Sequence, residues 1–156
     1  MTYLMLVAAL SAPVLFHSPL NAQQDTLRAR NVSNSLAPIQ VVMANIKAFN
    51  KRDLEAFLST YDTEAELHDL PSGRVLTTGT ETLRQRYRDQ FENECRETMG
   101  RPCPDLAVSI LDTQTIGNYV IVKESARLKK GTPPFELVVI YEVINSKIRR
   151  MWFIGR

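Results

Sequence analysis

The feature that most constrains this chain is a change of hydrophobic period along it. From Leu36 to Phe91 apolar residues mostly recur every three or four positions, while after Leu106 they alternate. The first spacing is that of a helix face and the second that of a strand. A chain that lays down helices first and strands afterwards is expected to fold as α+β, with the helices packed on one face of a sheet.

Leu36, Ile39, Met43, Ile46 and Phe49 line up as one helical stripe. Asn50-Lys51-Arg52 interrupts it, and Asp53 is placed to cap a short second helix carrying Leu54, Phe57, Leu58 and Tyr61. Ala65 to Leu70 alternates and runs into the turn Pro71-Ser72-Gly73, from which Arg74 to Leu76 returns. A third helix is expected from about Thr78, with Leu83, Tyr87 and Phe91 as its apolar face. Strands are predicted over Leu106–Leu111, Tyr119–Leu128, Phe135–Ile144 and Lys147–Ile154. Gly117-Asn118, Lys130-Gly131-Thr132 and Asn145-Ser146 supply the turns of an antiparallel meander.

The first residues are different in kind. Tyr3 to Phe16 is nearly all apolar, interrupted by Pro13 and followed by His17-Ser18-Pro19-Leu20-Asn21-Ala22. Such a run is too short to span a bilayer and fits the core of a secretory signal ending at Ala22. Residues 1–22 are therefore expected to be a signal peptide, 23–35 a flexible leader and 36–156 the folded domain. An uncleaved anchor is the alternative to this exported, periplasmic or secreted location. In an oxidising compartment the pair Cys95 and Cys103 is a natural disulfide. The same pair, with two histidines in the whole chain, is poor metal chemistry, so no metal and no cofactor are expected. With 19 Lys and Arg against 17 Asp and Glu, the chain lacks the basic stripe that nucleic acid requires. Nor is stable membrane insertion of the mature part expected.

Several segments resemble a known family. Phe49 to Leu58 is similar to the joint between the first two helices of NTF2-like proteins, and Tyr61 to Leu67 resembles their entry to the first strand. Thr78-Gly79-Thr80 with Leu83 and Tyr87 matches their third helix, and Lys147 to Phe153 their last strand. The chain is thereby identified as a member of the NTF2-like, SnoaL-like group, a group that includes ketosteroid isomerases and polyketide cyclases. The resemblance implies a cystatin-like cone, three N-terminal helices packed on a bent antiparallel sheet, with a pocket in its mouth. It also implies a small apolar molecule as ligand and a homodimer as the assembly.

The isomerase pattern implies a general base just before the first Pro-containing turn, and Asp69 falls there. Alternation puts Asp69 on the face of Leu67, where an apolar cup would raise its pKa for proton transfer. A carboxylate before a turn can equally cap that turn. The family's oxyanion-stabilising Tyr maps to Asn45, and its protonated acid maps near Val139, which cannot donate. An isomerase- or cyclase-type proton transfer by Asp69 thus stands beside a non-catalytic ligand-binding or homodimerisation module. Tyr87, Tyr141 and Trp152 are candidate cup aromatics, while His68 is expected on the opposite face from Asp69. Glu124 and Glu142 either reach the pocket or pair with Lys and Arg outside it, the second being favoured.

Overall fold

The computed structural model describes residues 36–95, 106–127, 129 and 131–155. The expected signal peptide, leader and Cys95–Cys103 bridge fall outside the described residues, Cys103 among them. The first helix, α1 (Pro38–Lys51), begins with Pro38 in the first turn, where its missing N–H costs nothing. It buries Val41, Val42, Asn45, Ile46, Ala48 and Phe49. That face is rotated from the expected stripe: Leu36 and Met43 are exposed, and a polar residue, Asn45, lies at its centre. Arg52 turns the chain in a left-handed conformation (φ 56°), and Asp53 caps α2 (Leu54–Ser59) by accepting from the Ala56 N–H at 3.0 Å.

Strands β1 (Tyr61–Asp69) and β2 (Arg74–Thr78) form the first hairpin. Gly79, at φ 80°, makes the corner into α3 (Thr80–Cys95), and its N–H donates to the Ala65 carbonyl at 2.8 Å. The buried face of α3 is Leu83, Tyr87 and Phe91. Arg84 on α3 is forked onto the carboxylate of Glu55 on α2. The meander follows as β3 (Ala107–Ile116), β4 (Tyr119–Arg127), β5 (Phe135–Ile144) and β6 (Lys147–Ile154). Asn145 and Ser146 both take positive φ between β5 and β6, the conformation that a two-residue hairpin turn requires.

The sheet has six strands in the order β2-β1-β6-β5-β4-β3. One expectation is corrected here. The sheet is mixed rather than wholly antiparallel, because β1 runs parallel to β6, with Leu67 opposite Met151 and Asp69 opposite Phe153. Local turns can join only antiparallel neighbours, whereas β1 and β6 are brought together across the chain. The three described helices cover one face of this sheet, and the core lies between. Its centre is a set of packed rings, with Phe57 5.1 Å from Tyr61 and 4.5 Å from Tyr87, and Phe49 5.4 Å from Phe91.

A side-chain bracket fixes the helices to the far side of the sheet. The Asn50 amide at the end of α1 donates to the Val108 carbonyl at 2.8 Å, and its oxygen accepts the Val108 N–H at 2.8 Å. Asn50 therefore acts as a one-residue strand partner for β3. An aspartate could accept but not donate, and would set its charge against the carbonyl. Asn50→Asp is expected to cost about 2 kcal/mol of stability, measurable as a lowered urea midpoint with an unchanged slope.

Candidate functional site

Alternation along β4, β5 and β6 turns Val120, Val122, Glu124 and Ala126, then Leu137, Val139 and Tyr141, then Met151 and Phe153, toward the helices. Between these strands and α1–α3 lies a cavity of about 840 Å³. Asn45, Phe49, Phe57, Tyr61, Tyr87 and Tyr141 line its interior together with Glu124. Exposed Arg86, Asp89, Phe135 and Gly155 stand at its mouth. The size and the mostly apolar wall with few polar groups suit a small organic molecule.

Glu124 is the anomaly of this wall. It is 5% exposed, and its Oε2 has no hydrogen-bond partner. Burial alone pushes its carboxyl up from 4.5 to about 7. Such a group exchanges protons at neutral pH and needs no partner to be tuned there. The Tyr61 and Tyr141 phenols are pushed well above their ordinary range, first by burial and further by the neighbouring acids, Glu124 included. Tyr61 donates to the Met151 sulfur at 3.0 Å, and Asn45 donates to the Thr60 hydroxyl at 2.8 Å.

Of the residues singled out from sequence, Asn45, Tyr87 and Tyr141 come together at this cavity. Two do not. Trp152 faces the other side of the sheet, since Met151 and Phe153 on either side of it point inward, and its ring stacks on His68 at 5.7 Å. Asp69 ends β1 beyond the cavity wall. Its carboxylate accepts a short hydrogen bond from the Ser72 hydroxyl across the turn, so the turn-capping contact is the one present. With Pro71, Ser72, Arg74 and Leu76 it lines a separate hollow of about 320 Å³.

The two glutamates divide. Glu142 accepts from Arg150 at 3.0 Å and from the Tyr119 phenol at 3.0 Å on the outer face, as the favoured expectation has it. Glu124 departs from that expectation. The signal was present in the sequence: Glu124 continues the inward series Val120, Val122, whereas Glu142 sits between inward Tyr141 and Val143. Among the described residues, no His, Cys, Asp and Glu side chains gather into a metal-holding group, and no helix is long and apolar enough to cross a membrane.

A cone of helices on a bent sheet, with a cavity under the helices, defines an NTF2-like domain, and solved structures share it. An uncharacterized cystatin-fold protein from Novosphingobium aromaticivorans is 25% identical, with a TM-score of 0.65 over 78% of this chain and 100% of that one. An NTF-2-like protein of unknown function from Burkholderia xenovorans is 22% identical, with a TM-score of 0.56 over 74% and 80%. A candidate ketosteroid isomerase from Kribbella flavida is 14% identical, with a TM-score of 0.58 over 73% of each chain. No curated protein matches the sequence. The SnoaL-like domain model matches residues 42–151, and the chain belongs to that family.

The raised carboxyl makes a stability prediction. Between pH 4.5 and about 7 the folded chain keeps a proton on Glu124 that the unfolded chain has lost. Stability must therefore fall as the pH rises through that window, by about 3 kcal/mol in full. Glu124→Gln removes this term. The variant is expected to gain stability over the parent at pH 8, up to about 3 kcal/mol, and to gain little at pH 4.5. Urea unfolding at the two pH values measures the difference.

Proposed function

We propose that this domain binds a small, largely apolar molecule in the cavity and exchanges a proton with it through Glu124. The observation that carries the reading is the position of Glu124, buried without a hydrogen-bond partner for Oε2 in a cavity of about 840 Å³. In this reading Glu124 takes the acid–base role that sequence position alone suggests for Asp69. Tyr87, Tyr141 and Asn45 shape the wall, and the Asn45 amide, held by Thr60, orients the polar end of the cavity. Proton transfer to or from a bound molecule needs a group titrating near the working pH, which favours Glu124 over an exposed carboxylate. The proposal includes export, supported by the apolar run over residues 3–16.

A non-catalytic, homodimerising module is the second reading, favoured by the outer sheet face. There Tyr119 is 42% exposed and half-buried Trp152 stacks on His68. The two readings differ in whether Glu124 exchanges a proton with a bound molecule and in what the outer face does.

Nile red, a neutral apolar dye, tests the cavity directly. The protein is expected to bind one dye per chain with a blue-shifted emission. Ala126→Phe, which puts a ring into the cavity wall, is expected to weaken that binding at least tenfold while far-UV circular dichroism stays unchanged. Undiminished dye binding by a folded Ala126→Phe protein overturns the cavity reading and moves the site to the outer face.

A further inference from the structure

The cavity's charge is as specific as its size. Among the residues that line it, the ionisable groups other than Glu124 are the three phenols Tyr61, Tyr87 and Tyr141 and, at the exposed mouth, Arg86 and Asp89. Among the described residues, no lysine, histidine or buried arginine lines the interior. The residues beside Glu124 on the neighbouring strands are Ile110 of β3 and Leu137 of β5, both apolar. The Tyr61 hydroxyl is given to the Met151 sulfur rather than to the carboxylate. When ionised, Glu124 is therefore a buried anion for which the described residues of the cavity wall supply no cation.

We infer that the ligand supplies it: the molecule this cavity takes carries a substituted ammonium group, seated against Glu124 and the surrounding aromatic rings. The inference rests on the cavity-binding reading above. Three features favour this ligand class. A lone interior carboxylate cannot assemble the several oxygen ligands that a hard metal ion requires. Aromatic side chains from α1, α2, α3, β1, β5 and β6 line the same space, and ring faces stabilise cations that have been stripped of water. A bare ammonium ion would leave most of about 840 Å³ unfilled, whereas hydrocarbon substituents on the nitrogen bury against the apolar wall. The balance of the step is simple. A quaternary cation binds the ionised form, so a protonated Glu124 gives its proton to solvent as the ion pair forms.

Benzyltrimethylammonium and its uncharged carbon isostere, neopentylbenzene, separate charge from shape. Each is titrated calorimetrically with the full chain at pH 8.5 and pH 6. The cation is expected to bind at least tenfold tighter than the isostere at pH 8.5. Its affinity is expected to fall about tenfold at pH 6, as Glu124 takes up a proton, while that of the isostere stays level. At pH 7, titration in two buffers of different ionisation enthalpy is expected to show release of about half a proton per cation bound. Glu124→Gln is expected to bring the cation down to the affinity of the isostere. An isostere that binds as tightly as the cation at pH 8.5 overturns the inference and leaves the cavity reading standing. Failure of both probes where Nile red binds overturns it as well; failure of Nile red itself overturns the cavity reading.

Discussion

The pairing of β1 with β6 is the contact on which the rest of the structure depends. It joins the part of the chain that builds the helices and first hairpin to the part that builds the meander, with Tyr61 opposite Ile148 and Glu66 opposite Arg150. Four residues of β1, 62–65, lie between those two pairs against one of β6, residue 149. A strand with surplus residues must bend, and the sheet curls around the helices at this point. Arg149 fastens the bend from outside, reaching Asp62 at 3.0 Å and Glu64 at 3.1 Å. The inside of the same bend sets Tyr61 against Met151 and forms one end of the cavity. Closing a contact of such sequence separation is entropically costly. The apolar surface shared by the helices and the sheet offsets that cost only once β1 is in place.

Glu124 is a cost of a different kind. A residue chosen for stability at that inward position would be apolar, as Val120, Val122 and Ala126 are along the same strand. A carboxyl there gives up hydration and gains no compensating hydrogen bond on Oε2. Glu142, almost as buried, shows what compensation looks like: a guanidinium and a phenol both donate to it. Two acids at similar depth with opposite degrees of satisfaction have different purposes. One holds strands together, and the other, in the function proposed above, meets the molecule that enters the cavity.

Much of this was legible in the sequence because periodicity reports which face a side chain occupies. The Asp53 cap, the Leu83–Tyr87–Phe91 face and the limits of β5 and β6 follow from it directly. Periodicity does not report which strands are neighbours, so the parallel β1–β6 pair was out of reach. The first strand began earlier than alternation indicated, at Tyr61, because its opening residues are polar and bulged. Trp152 was misplaced by its size, since a large aromatic ring suggests a pocket although both its neighbours point inward. For Asp69 the face was sound and the position along the strand decided the matter: at the last residue of β1, the turn captures the carboxylate before the cavity can. Asn45 was reached through the family resemblance and not through periodicity, because a helix stripe is drawn through its apolar residues alone.

The two faces of the sheet sort charge as strictly as they sort hydrophobicity. Outside, Glu66 takes Arg150 at 3.2 Å and His68 at 3.1 Å, Glu142 takes the other arm of Arg150, and Lys123 takes Glu136 at 2.7 Å. The cations of the central strands are thus engaged on the far side from the cavity, and the strand pleat prevents them from turning to the near side. An acid that crosses to the inward register is cut off from them by the thickness of the sheet. Its remaining neighbours among the described residues are rings, aliphatic side chains and phenols whose own acidity is suppressed by burial. The unbalanced carboxyl is consequently a property of strand register. A cation could enter the cavity wall only by substitution at another inward position, such as Val122 or Leu137, or from the helices, where exposed Arg86 stands at the mouth.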